Sequence, residues 1–191
     1  MHRAKTAPVA RKAKRTPGDW LKAPVVSRLV HYHAEGDLRV SATTRKYLKD
    51  VGQKFLEKCL ERVVALTVLS KKSTLMYKHV SAIAKGMEIS IPSEKQFEVE
   101  AKVVKSKEGG VTKLRAGMTS CIAPGTFSRA VKMAMGGKIK LGSKGRQALC
   151  ALVEQALVEL INDASKFTAS AKRSTMYPED VSAAISLSKR F

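Results

Sequence analysis

Two short runs combine residue types that could grip an anion. Lys71 and Lys72 are followed by Ser73 and Thr74, and Lys172 and Arg173 are followed by Ser174 and Thr175. Two cations and two hydroxyls in four positions can neutralise and hydrogen-bond a phosphodiester, but they supply no general base, nucleophile or metal ligand. One such pair alone reads as a solvated loop charge. The return of the same order 175 − 74 = 101 positions later favours a paired binding surface.

Other groupings carry less chemistry. Gly137, Gly142, Ser143 and Lys144 have Ser before Lys, the reverse of the order a phosphate-binding loop needs. His31 and His33, two apart in a helical stretch, face different sides and share no metal. Cys59, Cys121 and Cys150 are odd in number and lack Cys-x-x-Cys spacing, which argues against a disulfide framework or a zinc site. No Cys or His joins an acid at a spacing that suggests a nucleophile or general base. The expectation is a protein without catalytic residues, metal, cofactor or small-molecule substrate.

Charge indicates the partner. Lys and Arg number 36 against 16 Asp and Glu, a formal net charge of +20, so the chain must meet a polyanion. No apolar run approaches the roughly 18 residues of a membrane span, and the N-terminus lacks the apolar stretch of a signal peptide, so no membrane contact is expected.

The elements that must position the basic runs follow from periodicity. Residues 1–19 carry Arg3, Lys5, Arg11, Lys12, Lys14 and Arg15 with no acid before Asp19, which predicts a disordered basic tail. From 20 to 87 the order is short, long, short. Pro24 opens a helix with Val25, Val26, Leu29 and Val30 on one face, and Gly36 ends the segment. Ser41 caps a helix of about 40 Å bearing Leu48, Val51, Phe55, Cys59, Val63 and Leu66, and a short helix with Val80, Ile83 and Ala84 stops at Gly86. The order returns from 124 to 191. Phe127, Ala130, Val131 and Ala134 face inward on a short helix, Ser143 caps a long one running through Leu149, Leu157 and Ala164, and Pro178 opens the last. The two caps lie 143 − 41 = 102 positions apart, and Val80, Ser81, Ala82 reappear as Val181, Ser182, Ala183, so the chain reads as an internal duplication. Residues 88–123 form a linker without sustained period, with a short helix expected near Thr112 to Met118. A long helix has more apolar face than two short ones can cover, so the halves must bury each other in an all-α fold.

These residues resemble histone folds. Arg39, Val40 and Ser41, Phe55 to Glu57, and Lys71 to Thr74 with Val80 and Ala82 are similar to histone H-four. Phe127, Arg129 and Val131, then Ala148, Leu149, Glu154, Leu157 and Asp163, then Ala171 to Arg173, Thr175, Pro178 and Asp180 are similar to histone H-three. Such a fusion resembles the histone doublets of large DNA viruses of the Marseillevirus group.

The resemblance implies two histone folds paired head-to-tail within one chain, the first loop of each beside the second loop of the other. Its DNA-binding residues would be Arg28, Arg39, Ser41, Lys71, Lys72, Thr74, Arg129, Lys132, Lys140, Lys172, Arg173 and Thr175, with Arg39 entering a minor groove and Lys140 at the equivalent place. Arg173 and Asp180 would pair inside the second fold, whereas Lys72 and His79 stand at those positions in the first. Phe167, Ser170, Asp180, Ala183 and Leu187 would meet a second copy of the chain, the family's histidine being replaced by Ser170. The implied function is the core of a nucleosome-like particle that wraps double-stranded DNA without sequence preference. A histone H-two-B/H-two-A-like doublet or pair would be a further partner, in the virion and in the viral factory or nucleus of the host cell. The alternative is a histone-fold subunit of a transcription complex, which would prefer one duplex among many.

Overall fold

The computed structural model describes residues 20–34, 38–101, 121–136, 139–188 and 190–191. The predicted tail 1–19, Gly36 and the helix expected near Thr112 to Met118 lie outside the described residues.

The first half is α1 (Ala23–His33), β1 (Arg39–Val40), α2 (Ala42–Leu69), β2 (Thr74–Leu75) and α3 (Tyr77–Gly86). Pro24 sits in the first turn of α1, where its missing N–H costs nothing, and Val25, Val26, Leu29 and Val30 are buried as their spacing predicts. The Ser41 side chain accepts the Thr44 N–H at 3.0 Å and caps α2. A further helix, α4 (Glu94–Ala101), follows within the linker 88–123, at a place where none was expected. The second half is α5 (Pro124–Ala134), β3 (Lys140–Leu141), α6 (Ser143–Ser170), β4 (Thr175–Met176) and α7 (Pro178–Leu187).

The repeat is stricter than the residue types suggest. Every matching element of the second half starts 101 positions after its counterpart: 124 − 23, 140 − 39, 143 − 42, 175 − 74 and 178 − 77. The offset of 102 drawn from Ser41 and Ser143 is therefore one too many. The N-cap of α6 is Gly142, and Ser143 is its first helical residue. A side chain at Gly142 would place its Cβ 2.8 Å from the Leu75 carbonyl oxygen, so the serine of the first half has no room there. Ala134, expected inside, is exposed, and Met135 just beyond it is buried.

The halves interlock by exchange. β1 pairs in parallel with β4, Arg39 opposite Thr175, and β2 pairs in parallel with β3, Thr74 opposite Lys140. Each half thus completes the other's ladder while α2 and α6 share one core that includes Phe55, Leu56, Leu149, Leu152 and Leu157. Trp20 meets Phe127 edge-on at 5.3 Å and donates its indole N–H to Gln53 at 2.8 Å, tying the start of the first half to α5 and α2. The last residues latch down. Phe191 lies 4.8 Å from the Phe55 ring, Arg190 ion-pairs with Glu159, and Lys58 donates to the Arg190 carbonyl at 2.8 Å.

Candidate nucleic-acid interface

The strand exchange builds two basic edges. At the first, the Arg39 N–H donates to Ser174 O at 2.9 Å and the Ser41 N–H to Met176 O at 3.3 Å, bringing exposed Arg39 beside exposed Lys172 and Arg173 and half-buried Thr175. At the second, the Lys140 N–H donates to Ser73 O at 2.9 Å and the Gly142 N–H to Leu75 O at 3.1 Å, which sets exposed Lys140 beside exposed Lys71 and Lys72 and half-buried Thr74.

Local backbone chemistry shapes both second loops. Lys71 and Lys172 each take φ 53°, the left-handed region that favours glycine. The Lys71 and Lys72 N–H groups close onto Val68 O and Thr67 O at 2.8 and 3.1 Å, and Lys172 and Arg173 onto Ala169 O and Thr168 O at 2.8 and 3.1 Å. Both long helices therefore end in the same two-bond cap, with lysine at the position where glycine would fit with less strain.

The electrostatics of the loops differ. Arg173 reaches the Asp180 carboxylate at 2.6 Å and lies 5.1 Å over the Tyr177 ring. Asp180 is buried and also accepts the Thr168 hydroxyl at 3.0 Å and the Tyr177 N–H at 2.9 Å. The carboxylate is committed within its own fold. In the first half His79 is buried in the matching place, with Nδ1 accepting the Met76 N–H at 3.3 Å and lying 3.1 Å from the Thr67 hydroxyl. Burial, and then the nearby Lys78, hold its pKa below the usual imidazole value. Among the described residues no carboxylate lies within ion-pair distance of Lys72, so its ammonium stays available to an external anion.

The rest of the proposed contacts lie on the short first helices. Arg28 is exposed and reaches Cys121 O at 3.4 Å, Arg129 is exposed with Nε on Gly125 O at 3.3 Å, and Lys132 is exposed. Two cations were not foreseen: Arg45, which meets Ser27 Oγ at 3.4 Å, and Lys144, which pairs with Glu94 at 3.3 Å. At the offset of 101 positions Arg45 recurs as Arg146, whereas the counterpart of Lys144 is Thr43, so the repeat could have signalled the first and not the second. On another face Phe167 and Ala183 are half-buried, Ser170 is exposed and Leu187 is 77% exposed. Phe167 and Leu187 line a cleft of about 720 Å³ together with Arg62, Asp163 and Arg190.

Among the described residues no group of three His, Cys, Asp or Glu is placed to hold a metal, and no helix is long and apolar enough to cross a membrane. The three cysteines are buried and form no disulfide. Burial pushes the Cys59 thiol up to about 12, against the weaker pull of Arg62 and Lys58, and burial followed by Glu154 raises Cys121. Neither carries a thiolate at neutral pH.

Residues 122–187 match the family model of the core histone H2A/H2B/H3/H4 domain. The fold is similar to the crystal structure of the histone from Methanopyrus kandleri, with a TM-score of 0.62 and 22% identity over 87% of this chain and 94% of that one. No curated protein matches the sequence. The second half thus contains a histone-fold domain, and the chain as a whole has the fold of a histone.

Proposed function

We propose that this chain packages double-stranded DNA, using two histone folds paired head-to-tail in one polypeptide. The observation that carries the reading is the reciprocal strand exchange, which places Arg39 beside Lys172 and Lys140 beside Lys71 and Lys72 at a constant repeat of 101 positions. Parallel edges of cations, hydroxyls and loop amides suit phosphates on a curved duplex and contain nothing aimed at base edges. About a dozen phosphate contacts would give a log–log salt slope of roughly −10, and the choice among sequences would follow DNA bendability. The non-catalytic character of the reading is supported by the histone-fold domain itself.

The finer reading is a viral histone H-four/H-three doublet at the core of a nucleosome-like particle. A second copy would join through Phe167, Ser170, Ala183 and Leu187, and an H-two-B/H-two-A-like doublet would complete it in the virion and the viral factory or nucleus. Exposure of Leu187 and the cleft beside Phe167 support that face as the site of self-pairing. Asp180 has its oxygens engaged internally, so its part there would be to shape α7. Nuclease digestion of the chain assembled on mixed-sequence DNA tests the function: discrete protected lengths are expected, a smear means coating without wrapping, and protection of one sequence alone would favour the transcription-subunit alternative.

A further inference from the structure

The two edges are not equally open. At the β2/β3 edge, α4 lies against the molecule through a buried Phe97 whose ring is 6.0 Å from Tyr77, and the Tyr77 hydroxyl donates to Pro92 O at 3.0 Å. The Ser93 N–H closes the first turn onto Gln96 Oε1 at 2.6 Å. This docking delivers Glu94 to Lys144, three residues beyond β3, at 3.3 Å. Gly142 and Gly145 on either side of Lys144 have no side chains, and their backbone lies tight on the Leu75 carbonyl, so the first turn of α6 that carries Lys144 packs directly against β2. The counterpart of Lys144 at the other edge, 144 − 101 = 43, is Thr43, which meets Ser41 Oγ at 2.8 Å. An extra cation and the acid that faces it therefore occur at one edge only.

We propose that Lys144 is a phosphate ligand of the β2/β3 edge and that Glu94 is its internal stand-in, displaced when DNA arrives. The proposal rests on reading that edge as a DNA contact. A carboxylate and a phosphodiester present the same charge and the same acceptor oxygens to an ammonium, so they compete for it. The Lys144 and Glu94 side chains are 41% and 50% exposed, a weak tie in water that a polyanion with condensed counterions can replace. At the β1/β4 edge the acid that meets a cation is Asp180 on Arg173, and it is buried and held within its own fold, whereas Glu94 is half exposed.

A four-way comparison of wild type, Glu94→Gln, Lys144→Gln and the double variant on a short mixed-sequence duplex across a salt series tests this, with circular dichroism confirming helicity. Glu94→Gln should tighten binding about two- to fivefold at fixed salt and make the log–log slope more negative by up to about one. Lys144→Gln should weaken binding, and adding Glu94→Gln to it should change nothing. Equal tightening by Glu94→Gln in the Lys144→Gln background would show a general charge effect and overturn the proposal, as would no tightening in the wild-type background. Failure of the wild type itself to bind the duplex overturns the DNA reading, a result distinct from a failed cycle on a binding-competent chain.

Discussion

The loop after α6 and the loop after α2 share backbone geometry, yet they are held by different chemistry. After α6, one buried carboxylate gathers a guanidinium, a hydroxyl and a backbone N–H. After α2, a neutral imidazole takes the N–H and lies beside the hydroxyl, and the cation next to it is left unpaired. The strand edges differ likewise. Ser41 and Thr44 bring hydroxyls, Thr44 Oγ1 donating to Met176 O at 2.9 Å, while their counterparts Gly142 and Gly145 bring none and let the backbone close on Leu75 O. One duplicated plan thus has two solutions: a charged clasp that engages Arg173, and a neutral one that leaves Lys72 without an ion pair among the described residues. Rigidity and free charge are traded between the halves.

Removing the clasp should have the largest effect. Asp180→Ala leaves Arg173 and the Tyr177 N–H without their carboxylate acceptor, and the Thr168 hydroxyl with Ala164 O alone. Arg173 is partly solvated, which moderates the loss, so about 2 to 4 kcal/mol of stability should go in chemical denaturation. The equivalent His79→Ala should cost less, because no ion pair is broken; equal losses would erase the proposed distinction.

The edges can be separated next. A Cβ at Gly145 would lie 2.6 Å from the Leu75 carbonyl oxygen, so Gly145→Ala should cost about 1 to 3 kcal/mol through displaced backbone. Thr44→Val at the other edge removes the bonds of its hydroxyl to Met176 O and to Ser41 Oγ, each worth about 0.5 to 1.5 kcal/mol. A Gly145→Ala protein that melts with the wild type would contradict the close packing assigned to the glycine edge, and a Thr44→Val protein that does so would contradict the hydroxyl bonding assigned to the other.

On DNA, Arg39→Ala with Lys140→Ala removes one cation from each edge. The salt slope should become less negative by up to about two units, on every duplex alike, with helicity intact. An unchanged slope would remove both strands' first residues from the interface.

Much of this contrast was legible in residue types. Apolar spacing located six of the helices, the basic runs located both second loops, and the Arg173–Asp180 pair, with Lys72 and His79 in its place in the first half, was implied by the family resemblance. What escaped depends on long-range closeness. The cap of α6 moved from Ser143 to Gly142 because of a carbonyl 67 positions earlier, at Leu75. The ordering of α4 depends on Tyr77 accepting Phe97 against it, and the burial of Trp20 on Phe127, a residue of the other half. Periodicity reports a helix's own faces and is silent about such partners. The Phe191 and Arg190 latch has no internal copy to betray it.

The smallest expected effect is the one that isolates the neutral clasp. His79 Nδ1 accepts a backbone N–H, so it must be unprotonated in the fold, and burial holds its pKa below the ordinary value of 6.5. The unfolded chain takes up that proton near pH 6.5, while the folded chain resists until lower pH. Stability from this group is therefore complete above pH 6.5 and is lost as pH falls from 6.5 toward the lowered folded value. His79→Asp would place a carboxylate where Asp180 stands in the other half, able to accept the Met76 N–H and to draw in Lys72. A carboxylate does not gain charge as an imidazole does between about pH 7.5 and 5.5, so the acid loss assigned to His79 should shrink in this variant. Denaturation midpoints of the two proteins at pH 7.5 and 5.5 decide the point: the wild type should lose more between them than His79→Asp does. Because Lys72 would then be engaged, His79→Asp should also weaken DNA binding slightly and make the salt slope less negative by up to about one. An equal acid loss in both proteins would place the pH-sensitive group elsewhere, and an unchanged slope would mean that Lys72 keeps its phosphate despite the new neighbour.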